Sequence, residues 1–509
     1  MYFQQKIDGV KYSRRFYVLS TTLSPGSDGC LQLSCRLAII AATMVALPAG
    51  ELMRIHILGI CGTFMGSLAL LARALGHSVE GSDSAVYPPM STQLAAAGIR
   101  LCEGYRVEHL QPHPDLVIIG NAMSRGNAAV EYVLDQGLDY ISGPAWLEQA
   151  VLRGRHVIAI AGTHGKTTTT SMVAWILDRA GLAPGYLIGG VPLGFAASAS
   201  LGQGRHFVVE ADEYDTAFFD KRSKFVHYRP RTLLINNIEY DHADIFPDLA
   251  AIETQFHHLM RIVPSSGLVL HPGADATVDA VLARGSWSRR QSLGSTPAQD
   301  WSIGAVAVDG SHFEVCHQGR SLGTLQSPLS GAHNRMNALA ALAVAVDAGV
   351  AVDVALTALA SFPGVKRRLE LLGTPQGIAV YDDFAHHPTA IHATLQGLRQ
   401  KVGADKRIIA VIEPRSNTMR MGVHQDSLLA AVEQADHIFW YQPESLAWDL
   451  SAHLGQGQRS EVVTTVDDLI ERLQAMLHSG DQVLIMSNGG FAGLHQRLLQ
   501  RLSQAKWQT

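Results

Sequence analysis

Short apolar runs recur along the chain, most of them closed at once by glycine, asparagine, serine or an acid. Arg54-Ile-His-Ile-Leu58, His77-Ser-Val-Glu-Gly81, Asp115-Leu-Val-Ile-Ile119, Val157–Ala161, Phe207–Val209, Thr232-Leu-Leu-Ile-Asn236, Gly377-Ile-Ala-Val-Tyr381, Arg407–Ile412, His437–Tyr441 and Gln482–Met486 read as strands. Near-continuous apolar runs suit sheets covered on both faces. Helical spacing appears between them, as in Met172, Val173, Ile176, Leu177 and Ala180, which stop at Gly181. Strand alternating with helix predicts an α/β protein with parallel sheets. Residues 271–330 depart from this pattern. They are richer in Gly and Ser, with short alternating runs such as Trp301-Ser-Ile-Gly-Ala-Val-Ala-Val, and predict a small antiparallel sheet appended to the central fold. Residues 1–52 depart from it too. Their apolar run, Leu37 to Leu47, is too short to span a bilayer and could pass for a secretion signal. Because Met53 directly precedes a strand, the folded part is expected to begin there, with 1–52 a poorly ordered or non-native extension.

A chain of 509 residues has room for about three domains. The pattern divides it into 53–152, 153–364 and 365–509. A 47% apolar and 17% charged composition excludes a disordered or coiled-coil chain, and a net charge of −5 argues against nucleic acid as the main partner. Five scattered cysteines without a CxxC pair indicate neither a zinc site nor a disulfide framework, which fits a reducing cytoplasm.

The strongest chemistry lies in Ile158-Ala-Ile-Ala-Gly-Thr-His-Gly-Lys-Thr-Thr-Thr-Thr170. A strand runs into a tight loop, Gly162-Thr163-His164-Gly165, which delivers Lys166, Thr167 and Thr168 onto a helix start. Backbone N–H groups and the helix dipole converge there, as a polyphosphate requires. Lys166 would reach the β/γ-phosphates of ATP and the Thr167 hydroxyl would ligate Mg²⁺. The strand Phe207–Val209 ends in Glu210, Asp212, Glu213 and Asp215. Strand carboxyl ends line the ligand crevice of such a sheet, and Glu210 directly ends the strand, so it is the expected Mg²⁺ ligand. Glu213 reads as part of a solvated turn. In the first domain, Gly59, Gly62 and Gly66 leave room for a diphosphate beside the backbone, although their spacing is not that of a dehydrogenase.

The loop G-T-x-G-K-T-T resembles that of the Mur ligases, which build the peptide stem of bacterial cell wall, and the resemblance runs from Met53 to about Leu499. It implies three α/β domains: a Rossmann-like UDP-binding domain, a central P-loop ATPase-type domain and a Rossmann-like C-terminal domain. The first would hold a UDP-sugar through Gly59, Gly62 and Thr63, with Asp83 near the uridine. Asn121, Ser124, Arg125 and Asn127 would contact sugar and phosphate, or serve as turn residues. N-N-I-E-Y-D-H-A-D implies that His242 holds a second Mg²⁺. Several family members carry a modified lysine downstream of this histidine. None occurs between Ala243 and Met260, as in the branch acting on UDP-N-acetylmuramate itself. H-N-x-x-N implies adenine contacts from Asn334 and Asn337, with helix capping the alternative for Asn334. P-G-V-x-x-R points to Arg368 on the γ-phosphate, with Arg367 as alternate and a solvated basic turn as the plain reading. D-D-F-A-H-H-P places Asp383 at the interdomain nucleotide site and His386 near the phosphates.

The loops Glu413-Pro-Arg-Ser-Asn-Thr-Met-Arg-Met-Gly422 and Ser487-Asn-Gly-Gly-Phe491 would recognise the incoming amine, through Arg415 and Asn488. Both resemble the branch that attaches the tripeptide L-alanyl-γ-D-glutamyl-meso-diaminopimelate rather than the branch that adds L-alanine. The expectation is an ATP- and Mg²⁺-dependent cytoplasmic enzyme, monomer or weak homodimer, without a membrane span. The rivals are the L-alanine-adding ligase, a non-catalytic UDP-sugar sensor, and a P-loop kinase or transport ATPase. The last would need neither the UDP-type domain nor the adenine pattern.

Overall fold

The computed structural model describes residues 51–86, 90–327, 329–453 and 459–504. The expectation for residues 1–52 lies almost wholly outside them. The apolar runs form three sheets. The first contains Arg54–Leu58 (β1), Ser78–Asp83 (β2), Arg100–Glu103 (β3), Leu116–Ile119 (β4) and Tyr140–Ser142 (β5), in the order β3-β2-β1-β4-β5, all parallel. Strand order reverses beside β1, so the glycine loop after Leu58 opens at the topological switch point, where such sheets bind ligands.

The central sheet contains His156–Ala161 (β6), Gly185–Leu187 (β7), Ala199–Ser200 (β8) and His206–Ala211 (β9). After a two-stranded hairpin, Asp215–Ala217 (β10) with Asp220–Ser223 (β11), it resumes with Thr232–Ile235 (β12), Leu268–Pro272 (β13) and Arg289–Gly294 (β14). Trp301–Val306 (β15), His312–His317 (β16) and Arg320–Gln326 (β17) complete it. The order is β17-β16-β15-β14-β13-β12-β6-β9-β7-β8. The antiparallel strands expected in 271–330 are β15 to β17, but they do not form a separate sheet. β15 pairs parallel with β14, so they extend the central one. The reason is backbone pairing: β14 would otherwise be an exposed edge.

The third sheet contains Glu370–Gly373 (β18), Ala379–Asp383 (β19), Ile408–Ile412 (β20), His437–Tyr441 (β21), Ser460–Val463 (β22) and Gln482–Met486 (β23), in the order β18-β19-β23-β20-β21-β22. β18 runs antiparallel and the rest are parallel. Helices cover both faces of the third sheet, which is why Val411, Ile412, Leu484 and Ile485 are all fully buried irrespective of strand parity. No helix of the described residues is long and apolar enough to cross a membrane.

Burial also withdraws several histidines from water. His206, His333 and His386 are each held neutral by burial, with their pKa pushed down to about 4. An unfolded histidine titrates near ~6.5. Between those values the unfolded chain takes up protons that the folded one refuses, so stability falls as pH is lowered from about 6.5 towards 4. His242, held above the ordinary value by Glu213, and Glu210 and Asp383, pushed up by burial, work the other way, but the histidines lowered by burial outnumber them. Thermal unfolding midpoints measured from pH 7.5 to 4.5 are expected to decline steadily below pH 6.5. A flat profile would contradict this reading of the buried rings.

Candidate active site

Strand β6 feeds the loop Gly162–Gly165, and the helix Lys166–Arg179 starts directly after it. Gly165 takes φ 79° and caps the helix. A Cβ there would meet Asn337 Oδ1 at 2.6 Å and Asn236 Nδ2 at 2.9 Å, so only glycine lets these amides close on the loop. Two of the loop's N–H donors do not face a ligand: Thr163 N donates to Asn237 O (3.2 Å) and His164 N to Asn237 Oδ1 (2.8 Å). The expectation of free donors therefore fails at Thr163 and His164. Thr163 Oγ1 is likewise engaged by the backbone of Glu239. Thr168 is buried within the helix.

Lys166 Nζ lies 2.8 Å from Glu213 Oε2 and 3.7 Å from Asp212 Oδ1. Glu213 is 1% exposed and also lies 3.3 Å from His242 Nε2. The solvated-turn reading of Glu213 is thus overturned. The chain doubles back into the β10–β11 hairpin and turns this side chain inward. Burial works to raise its pKa, but Lys166 and His242 hold it down at about 2. Glu210 accepts from Thr167 Oγ1 (2.8 Å) and from Gly189 N (2.6 Å), and burial pushes its pKa up against the pull of Lys166. His242 has φ 57°, unusual for a residue with a side chain, and stacks on Tyr214 with ring centroids 4.1 Å apart.

The turn after Phe362-Pro363-Gly364 separates the two candidate arginines. Arg367 Nη2 donates to Ser487 O and Gly489 O, and Arg367 Nε to Asp382 Oδ2, all within the third unit. Arg368 Nη2 instead reaches Thr167 Oγ1 at 3.2 Å, on the phosphate loop. Asp383 lies beneath this turn. Its oxygens accept from Leu369 N (2.6 Å), Ala385 N (2.8 Å) and Thr394 Oγ1 (3.4 Å), so its carboxylate braces the Arg368 turn from beneath. Asn334 lies inside the helix Ala332–Asp347, whose cap is Gly331, so it is not a cap. It donates to Ser330 O and accepts from Asn337 Nδ2.

A cavity of about 270 Å³ gathers His242, His386, Arg415 and Asn488, expected from four separate motifs, together with Tyr214, Asp244 and Thr418. Asn488 Oδ1 is buried without a partner, an acceptor turned towards something the protein itself does not supply. A larger cavity of about 540 Å³, lined by His271, Arg290 and Asp300, holds none of the expected residues. Three contacts dock the 413–422 loop onto the His242 loop. Thr418 Oγ1 donates to Asp241 Oδ1 (2.7 Å) and accepts from Ala243 N (3.2 Å), while Asn417 Nδ2 donates to Asp244 Oδ2 (2.8 Å). Sequence reasoning missed Asn237, Asp241 and Thr418. Their strings were visible, but not that they meet. Thr418→Val keeps the shape but leaves Ala243 N without its acceptor and Asp241 Oδ1 with only His242 N, so we expect roughly tenfold lower turnover in a steady-state assay, from a cost of about 1–3 kcal/mol.

In the first sheet, Asp83 ends β2 beside the glycine loop. Its oxygens accept from Cys61 N (2.8 Å) and Ala85 N (3.0 Å), which fixes the Gly59–Gly62 loop. Gly59 N and Ile60 N bond Ser82 O, and Thr63 begins the following helix. Gly66 serves packing, because a Cβ there would collide with Met90. Arg125 is paired with Glu131 (2.9 Å) and Asn127 caps the helix Ala128–Asp135, which favours the turn reading for both. Asn121 is half-buried at the end of β4.

Oxygen donors at Thr167 and Glu210, and the Asp212, Glu213 and His242 group with one donor atom each within 4.8 Å, suit divalent cations beside a polyphosphate. Three family models match in succession: the Mur ligase catalytic domain over residues 54–155, the Mur ligase middle domain over 160–345, and the Mur ligase glutamate ligase domain over 367–489. The chain is 54% identical over 454 residues to the UDP-N-acetylmuramate–L-alanyl-gamma-D-glutamyl-meso-2,6-diaminoheptandioate ligase of Escherichia coli K12, covering 89% of this chain and 99% of that protein. It is 33% identical over 464 residues to the UDP-N-acetylmuramate–L-alanine ligase of Solibacter usitatus, covering 88% and 95%. The crystal structure of a murein peptide ligase from Psychrobacter arcticus 273-4 superposes with a TM-score of 0.71 at 50% identity, covering 89% of this chain and all of that one. With the phosphate loop, the acid and histidine cluster and the third-unit loops meeting at one place, the chain belongs to the Mur ligase family.

Proposed function

We propose that this chain joins the α-amine of L-alanyl-γ-D-glutamyl-meso-diaminopimelate to the lactyl carboxylate of UDP-N-acetylmuramate, in reuse of cell wall peptide, with ATP cleaved to ADP and phosphate. The observation that carries it is the cavity where His242, His386, Arg415 and Asn488 converge. Its cationic Arg415 and orphaned Asn488 acceptor suit the carboxylates and amine of a peptide.

A carboxylate and an amine do not condense unaided near neutral pH. The lactyl carboxylate attacks the γ-phosphorus, the bond to the β-phosphate oxygen breaks, and an acyl phosphate forms. The peptide amine then attacks the acyl carbon and phosphate leaves. Lys166, released from Glu213, and Arg368, already on Thr167, would balance the charge on the phosphoryl oxygens. Thr167 and Glu210 would hold one Mg²⁺, and His242 with Glu213 a second, supplying further neutralisation of phosphate charge. Asp383 and Asp83 act by positioning the Arg368 turn and the diphosphate loop. We take 53–152, 153–364 and 365–509 as the UDP-sugar, ATP and peptide domains. The use of ATP supports a cytoplasmic location in this reading.

The test of the chemistry is an isotope transfer. With ¹⁸O in the lactyl carboxylate, one labelled oxygen should appear in the released phosphate. Unlabelled phosphate would mean that no acyl phosphate forms.

A further inference from the structure

Among the described residues a second histidine and acid cluster stands apart from the Lys166, Glu213 and His242 group. His164 of the phosphate loop, Glu239 after β12 and His387 at the start of the helix Pro388–Val402 each bring one donor atom within 4.8 Å of the others. His164 Nε2 lies 3.5 Å from Glu239 Oε2, and His387 Nδ1 lies 3.7 Å from the same oxygen. These separations are too long for good hydrogen bonds. They are close to the edge of a tetrahedron whose ligands stand about 2.0–2.2 Å from a central ion, which is roughly 3.3–3.6 Å.

The cluster is also short of partners. His164 Nε2, His387 Nε2 and His424 Nε2 are all buried without a hydrogen bond, and His387 as a whole is 6% exposed. The rings are gathered together: His164 and His387 have centroids 4.7 Å apart, and His387 and His424 4.4 Å apart. His164 Nε2 is the unpartnered ring nitrogen beside the carboxylate, whereas His387 Nδ1 already accepts from Thr389 N (3.3 Å) and would exchange that bond for an ion. Two imidazoles and a carboxylate, with a third imidazole beside them, form the donor set of a borderline-soft divalent ion. Mg²⁺ prefers oxygen alone.

We propose that His164, Glu239 and His387 supply three ligands of a tetrahedral site for a Zn²⁺-class cation, with the fourth position open to water, distinct from the Mg²⁺ positions of the ATP chemistry. Because His164 belongs to the phosphate loop and His387 to the third unit, a bound ion would tether the two.

The probe is Co²⁺, added to the full-length, nucleotide-free protein in saturating Mg²⁺, because tetrahedral Co²⁺ absorbs visible light far more strongly than octahedral Co²⁺. The wild-type protein should show an intense tetrahedral band that saturates at one equivalent and is displaced by Zn²⁺. His387→Asn removes a ligand but retains an excellent helix cap for Thr389 N, so it should fold and lose the band. Its affinity should fall at least about tenfold, since even outer partners of metal ligands are worth that much. Glu239→Gln should do the same without touching the cap, and Glu213→Gln should leave the band intact. No tetrahedral band in the wild-type protein, a band that survives both His387→Asn and Glu239→Gln, or one lost in Glu213→Gln would overturn the proposal.

Discussion

Lys166→Met should lower ligation by about 10³-fold with all three substrates saturating, because a preorganised cation facing developing phosphate charge is removed. In the structure the Lys166 ammonium is held by Glu213 and Asp212, and this acidic environment keeps it charged against its partial burial. A γ-phosphate must compete for the same ammonium, so the pair acts as a store that ATP opens. The substitution also leaves Glu213 buried beside His242 without its principal cation, at a stability cost of about 3–5 kcal/mol. The two effects separate in a double variant. Lys166→Met with Glu213→Gln should recover most of the melting temperature and none of the activity. Recovery of activity together with stability would mean that Lys166 acts only as a structural counter-ion.

Arg368→Ala should be the second most damaging change, lowering kcat by about 10²–10³-fold. Arg367, its neighbour, is spent on Ser487 O, Gly489 O and Asp382, whereas Arg368 alone reaches across to Thr167. Asp383, wholly buried beneath the turn, has its pKa pushed up by burial and pulled back by Arg368. Loss of Arg368 therefore removes charge from the phosphate loop and also loosens the carboxylate that shapes the turn. Arg368→Lys retains charge without the planar fork and should recover only part of the rate. A variant changed in KM alone, with kcat intact, would place Arg368 in ground-state binding of ATP and remove it from the transfer step.

The sheets and the phosphate loop were legible because their signals are local. β6, the glycine loop and the helix after it follow one another within a few residues, so hydrophobic period and turn chemistry suffice. Relations across the chain were less legible. Glu213 looked solvated because nothing near it in sequence reveals that Lys166 and His242 enclose it. Asp83 and Asp383 were expected near the uridine and at the interdomain nucleotide site, and the sequence did not show that each also braces a functional turn through backbone N–H groups. An acidic residue at a strand end reads the same in either role, because the motif records its place and not the direction of its lone pairs. The choice between Arg367 and Arg368 was likewise open in sequence. Positive φ at Arg367 and Leu369 turns adjacent side chains to opposite sides, and only the folded backbone shows it.

The central claim is the identity of the amine substrate, and the Arg415 and Asn488 loops are its physical basis. The most direct measurement is phosphate release from ATP with UDP-N-acetylmuramate and Mg²⁺, with the tripeptide or L-alanine offered in parallel and kcat/KM compared. The expected result is efficient turnover with the tripeptide and little with L-alanine, with Arg415→Ala eroding the tripeptide rate. Preference for L-alanine, unaffected by Arg415→Ala, would contradict it.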